Sequence, residues 1–311
     1  MNLLKTGYEA NLVKFGDRRY LIASNTDPRV GVWARDLDYA TSGYSYVLND
    51  MTVLRDSIEL LLAGVKPDGV APEGRFSNQK GKEYVYDDTW DSMPNLIHAA
   101  YAYVAKTSDR AFYQQHRETL QQIGDWIVRL DSDGDGLPDR DIFPYGYYNS
   151  TRNSVQHTYA LAKFYAAFNE LAALERYAEN DGSVWEQRAA RLRAGFHRPF
   201  EQGGYWLEGQ AWPVAWRGAD GRPVTVLETF GVFEALRSGL IAPTDGQHYG
   251  ELIAALHTHL PQLIDGPMPM RLALGGYEPD MRRDVVPPSE QWKLDASAPW
   301  IVGLAAPAYA A

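Results

Sequence analysis

Apolar residues recur along this chain at helical spacing, but in two distinct patterns. In "MTVLRDSIELLLAGV", "RAFYQQHRETLQQIGDWIVRL", "VWEQRAARLRAGFHRPF" and "HYGELIAALHTHLPQLI" they keep to one face, the 3.6-residue period of an amphipathic helix. "DDTWDSMPNLIHAAYAYVAKTSD", "NSVQHTYALAKFYAAFNELAALERYAE", "LETFGVFEALRSGL" and "SAPWIVGLAAPAYAA" are apolar most of the way round. The two kinds alternate. A helix apolar on every side is buried on every side, and a one-faced helix covers it from outside. The alternation therefore predicts an all-α fold of helical hairpins in concentric layers, inner helices wrapped by outer ones. Residues 1–30 read as irregular or extended, because Gly, Asn and Pro break any period, and residues 31–311 as one helical domain. Strand alternation is confined to "GGYWLEGQAWPVAW" and "RPVTVL", enough for a hairpin.

Polar residues recur where the inner helices start. "VWARDLDYATSGYSYVLND", the first of these helices, opens with Trp33, Arg35 and Asp36. The later starts carry Asp87, Asp88, Trp90 and Asp91, then Asn149, Arg152 and Asn153, then Glu228, then Glu290, Gln291 and Trp292. A flat ring, a rigid donor fork and a charged acceptor are what gripping a polyhydroxylated ligand requires. A buried ion pair beside an aromatic ring would use the same residues. Their return at successive inner starts favours the walls of one pocket, where helix amino ends also concentrate positive potential.

Composition narrows the partners. A net charge of −10 and a pI near 5.2 argue against nucleic acid and anionic membranes, which reward basic surfaces. No apolar run approaches the ~20 residues needed to span a bilayer. The start "MNLLKTGYEANLVKFGDRRY" lacks the apolar segment of a secretory signal, so the chain reads as cytoplasmic or already processed. With no cysteine there is no disulfide, thiolate metal site or cysteine nucleophile. The 20 Tyr and 9 Trp join ring faces to polar handles and suit sugar stacking in a wet cleft.

Several motifs carry a family resemblance. "WARD" before an aromatic helix resembles the W-x-R-D of the six-hairpin glycosidases: glucoamylases, glycogen-debranching glucosidases and processing glucosidases. "DSDGDGLPD", residues 131–139, resembles the D-x-DGDGL that introduces their acid-bearing loop, and "NSVQHTYALAKF" the helix that follows it in glucoamylases. "SAPWIVGLAAPAY" is similar to their late inner helix. The matches keep the family's order over residues 30–311. The resemblance implies an (α/α)6-type toroid of helical hairpins, here with about five inner helices rather than six. The chain stops inside an apolar helix, as a truncated or incomplete product would.

An inverting glycosidase needs one carboxyl group to protonate the leaving oxygen and another to activate water. The acid needs a raised pKa, which Trp and Tyr neighbours supply by desolvation. The family's acid lies in the loop after DGDGL. Here that loop reads "RDIFPYGYYNSTRN", and no carboxylate falls between Pro144 and Asn149. Asp141 and Asp139 are nearest, and Asp88, between Tyr86 and Trp90, is the reserve. "SEQW" resembles the context of the base in bacterial glucoamylases, which would make Glu290 the base. Read instead against the following "PW", the same helix is the penultimate inner one and the base-bearing hairpin is absent; the helix count favours this second reading. Trp33, Arg35, Asp36, Trp90, Asp91, Tyr148, Glu228 and Trp292 form the expected substrate-binding set. Glu228 also suits a helix cap.

"DSDGDGLPD" has the one-three-five Asp spacing of a calcium loop, with Asp131, Asp133, Asp135 and Asp139 as ligands. Ile142 stands where a closing Glu is expected, and Asp-Gly pairs are also ordinary turn formers. No other cofactor is implied. The leading expectation is hydrolysis of an α-glucoside or related short saccharide. The alternatives are a sugar-binding barrel without turnover, or an epimerase or phosphorylase on the same fold. An epimerase would want paired His at inner starts, and only His98 and His157 lie near such positions.

Overall fold

The computed structural model describes residues 2–22, 31–48, 50–77, 83–86, 90–139, 156–218, 221–264, 270–271, 273–274 and 297–298. Among them are nine α-helices: α1 Asn2–Ala10, α2 Ala34–Val47, α3 Thr52–Leu62, α4 Ser92–Thr107, α5 Arg110–Val128, α6 Thr158–Tyr177, α7 Ser183–Phe196, α8 Thr229–Ser238 and α9 Gln247–Leu263. The strands are short: β1 Leu12–Phe15, β2 Arg18–Leu21, β3 Gly31–Trp33, β4 Gly74–Ser77, β5 Glu83–Tyr86, β6 Trp216–Arg217, β7 Pro223–Val224, β8 Met270–Arg271 and β9 Ser297–Ala298. Contacts gather into two compact units, one of Met1–Arg129 with Ala167–Gln187, the other of Leu130–Ala166 with Arg188–Ala311. The chain of α6 and of α7 passes from one unit into the other.

The predicted alternation holds helix by helix. In the first unit, α4 buries residues on every side, including Met93, Leu96, Ile97, Ala100 and Val104. Its neighbours α3 and α5 bury one face each, Val53, Leu54, Ile58 and Leu61 on α3 and Phe112, Leu120, Ile123 and Ile127 on α5. Those positions fall on one side of a 3.6-residue period, so each outer helix lays an apolar stripe inward. In the second unit α8 is buried from Thr229 to Leu236, while α9 buries Leu252, Leu256 and Leu263 alone. Helix ends follow local chemistry. Asp109 caps α5 by accepting the Phe112 N–H at 2.9 Å, a bond that holds its carboxyl below the usual range.

Three features differ from what the sequence suggested. The first 30 residues hold α1 and the β1–β2 hairpin, in which Phe15 pairs with Arg18 across a turn with Gly16 at φ 59°. The Tyr8 ring of α1 packs edge-on against Tyr44, and its hydroxyl lies where a Cβ on residue 43 would be. The turn-rich stretch before α4 contains β4 and β5, which join β3 in an antiparallel sheet. Four-residue strands show too few alternations to be read alone; pairing makes them. Third, Ser297 and Ala298, expected to open an apolar helix, are strand residues paired with β8. The rest of that segment lies outside the described residues. The hairpin expected near residue 216 is present as β6–β7.

Candidate functional site

The amino end of α2 is built by β3, whose backbone stays extended through Trp33 (φ −108°, ψ 135°) and turns into the helix at Ala34. Trp33 pairs with Gly74 and keeps its ring partly exposed. Arg35, in the first turn, points Nη1 at Asp91 Oδ2 (2.7 Å) and Nη2 toward Glu73 Oε1 (3.6 Å). Its side chain is 18% exposed and that of Asp91 only 1%, so this is a largely desolvated ion pair. Asp36 is exposed in the same turn, where a negative charge is favoured by the helix dipole. Arg35 is thus held in an ion pair, while Trp33 is partly exposed and Asp36 exposed.

Trp90 and Asp91, at the start of α4, are fully buried. Trp90 is packed in the core and has no exposed ring face. Asp91 occupies the cap position of α4 without bonding a helix N–H through its side chain, which leaves Oδ2 for Arg35. Asp91 Oδ1 and both amide atoms of Asn95, one turn further along, have no hydrogen-bond partner among the described residues. The sequence reading missed a second cluster below this one. His98 Nε2 lies 3.3 Å from Asp38 Oδ1, and His98 Nδ1 hydrogen-bonds Glu170 Oε1 of α6. The available signal was polar residues inside otherwise apolar helices, since such residues are buried only when partnered.

In the second unit, Glu228 is a buried helix cap. Its carboxylate accepts from Phe230 N (3.2 Å) and Gly231 N (2.5 Å). A Cβ on residue 231 would lie 2.7 Å from Glu228 Oε2 and 2.9 Å from Tyr159 N, so the close approach requires glycine. In the Asp-rich loop, Asp131 accepts from Gly134 N and Gly136 N, and Asp139 from Ser132 N, Ser132 Oγ and Asp133 N. Asp131, Asp133 and Asp139 each bring an oxygen within 4.8 Å of the others. Asp135 pairs instead with Arg198. The carboxylates of this cluster thus accept from the loop's own amides.

His157 precedes α6 and is buried, stacked on Trp216 with ring centroids 5.3 Å apart. Its Nδ1 accepts the Tyr159 N–H at 3.0 Å. Burial pushes this imidazole down to about 3. An unfolded histidine takes up a proton below about 6.5, and the folded one does not until near 3. The stabilisation is therefore complete above pH ~6.5 and is lost as pH falls, by about 2 kcal/mol at pH 5. Burial acts in the same direction on His116 and His197. His157→Asn keeps an acceptor for the Tyr159 N–H but cannot titrate. In denaturant unfolding, the parent should lose about 2 kcal/mol more than this variant between pH 7 and pH 5; equal losses would refute the assignment.

Asp88, Asp141, Tyr148, Glu290 and Trp292 lie outside the described residues, as do Asp87, Asn149, Arg152, Asn153 and Gln291. Among the described residues no helix is long and apolar enough to cross a membrane.

No protein-family model matches the sequence, and no curated protein does. Solved structures do match. The GH63 mannosylglycerate hydrolase from Thermus thermophilus in complex with Tris superposes with a TM-score of 0.69 at 14% identity, over 99% of this chain and 87% of that one. A GH78 family rhamnosidase from a Bacillus species gives 0.65 at 13%, over 86% of this chain and 26% of that one. The rhamnosidase from Klebsiella oxytoca with rhamnose bound gives 0.60 at 15%, over 74% and 42%. The chain thus spans less than half the length of either rhamnosidase but most of the hydrolase. At these identities the likeness establishes architecture. Together with the alternation of buried and one-faced helices, it shows that this chain shares the helical fold of these GH63 and GH78 enzymes.

Proposed function

We propose that this protein is a glycoside hydrolase acting on an α-glucoside or a related short saccharide through an inverting two-carboxylate mechanism. The observation that carries the reading is the likeness, over nearly the whole chain, to a mannosylglycerate hydrolase also solved in complex with glucose. The wall at the start of α2 supports it. Trp33 is the stacking face for a sugar ring, Asp36 the acceptor for its hydroxyls, and Arg35, braced by Asp91, a donor at the edge. Glu290 is the base that activates water and Asp141 the acid, with Asp88 in reserve. The chemistry is proton transfer between carboxyl groups and needs no cofactor.

The test is calorimetric titration with glucose and short α-glucosides, alongside hydrolysis of a chromogenic α-glucoside. Asp36→Ala should weaken binding by about 1.5–3 kcal/mol, the range for hydrogen bonds to a charged group, or roughly 10- to 150-fold in Kd. Binding without hydrolysis by the parent would favour a sugar-binding barrel without turnover. Failure of every sugar to bind, or full binding by Asp36→Ala, would refute the proposed site.

A further inference from the structure

Arg35 and Asp38 lie one turn apart on α2, and Asp91 and His98 lie two turns apart on α4. They meet as two rungs, Arg35 with Asp91 at 2.7 Å and Asp38 with His98 at 3.3 Å. The rungs come in the same order along both segments. Their polarity is reversed: α2 presents a cation and then an anion, α4 an anion and then a proton-carrying ring. A slip of one helical turn, ~5.4 Å, would leave both anions without their partners. Charged pairs placed in this way specify register even where their net contribution to stability is small. From α6, Glu170 takes the other ring nitrogen of His98.

The protonation of His98 follows from the same geometry. Both ring nitrogens face carboxyl groups; an ionised carboxylate accepts hydrogen bonds and does not donate them, so between two ionised carboxylates both nitrogens would carry hydrogen, as in an imidazolium. The groups around it include Asp38 from α2, Glu170 from α6 and, on α4 itself, the Tyr101 ring 6.5 Å away. Asp38 and Glu170 are almost fully buried, and the His98 ring lies between them.

We propose that His98, clamped as an imidazolium between Asp38 and Glu170, is a positioning residue that fixes the register of α2 against α4 and thereby sets the Trp33–Arg35–Asp36 wall. The lock stands on geometry alone; its effect on sugar binding rests on the proposed function. In nitrogen-15 spectra of histidine-labelled protein at pH 7.5, both His98 ring nitrogens should be protonated. His98→Gln removes the charge and should speed hydrogen exchange of α2 amides at least tenfold, with α5 amides as the unchanged internal reference. His98→Lys, which restores a cation, should recover part of that protection. Affinity for any sugar the parent binds should fall several-fold in His98→Gln, although none of Trp33, Arg35 or Asp36 has been altered. A neutral His98 ring at pH 7.5, or unchanged α2 exchange, would overturn the proposal. Should His98→Gln not fold, Asp38→Asn breaks the rung while leaving Glu170 on the ring, and the same α2 and α5 comparison decides. If the parent binds no sugar, the glycosidase reading fails while the spectra and exchange still test the lock.

Discussion

Glu290→Gln should abolish hydrolysis while leaving sugar binding within about twofold of the parent. Glutamine keeps the volume and hydrogen-bonding reach of the side chain and removes only the charge that, on the proposed mechanism, draws a proton from water. General base catalysis contributes about 10²- to 10⁴-fold, so the loss should be at least that large and fall on kcat rather than KM. The parent's pH profile should be bell-shaped, its alkaline limb set by an acid raised above the model carboxyl value of ~4. Asp141→Asn should remove that limb. If Asp88 is the acid instead, Asp88→Asn will remove it and Asp141→Asn will not. Hydrolysis at the parent's rate by Glu290→Gln would place the base elsewhere.

The largest loss of stability should come from Glu175→Ala. This α6 carboxylate is fully buried and accepts from Tyr113 Oη (2.8 Å), Arg117 Nε (2.9 Å) and Gln121 Nε2, all on α5. Burial and the bond to Glu175 both push the Tyr113 phenol up, so it remains a donor throughout the working range. Removing the carboxylate leaves three donors that were arranged around it. Breaking a buried charged pair from one side costs about 3–5 kcal/mol. Arg117 is 42% exposed and can turn to water, which favours the lower end. One position along α6, the Arg176–Glu186 pair is about half exposed on both sides, and Arg176→Ala should have little measurable effect. Urea unfolding of the two variants decides the matter; comparable midpoints would mean that the buried network contributes little.

Much of the architecture was legible in the chain because a helix's burial is written on its own circumference. "NLIHAAYAYVA" is apolar on all sides, and α4 is buried on all sides; "RETLQQIGDWIV" has one stripe, and α5 buries one. The start of α2 was legible for the same reason, since Trp33, Arg35 and Asp36 interrupt that pattern locally. Glu228 stands immediately before an apolar run, and its capping role depends only on amides two and three residues ahead.

What tertiary structure alone decided is which of these polar residues look outward. Arg35 became half of a buried pair because Asp91, 56 residues later, lies against it. His98 gained meaning only when Glu170, 72 residues on, was packed against its ring. The sheet β3–β4–β5 came from pairing between strands too short to declare themselves. Periodicity is a property of neighbours in the chain, so sequence determined which helices are buried and where they begin. A hydrogen bond between charges far apart in the chain depends on distances of a few ångströms set by every intervening turn, and only the folded molecule specifies them.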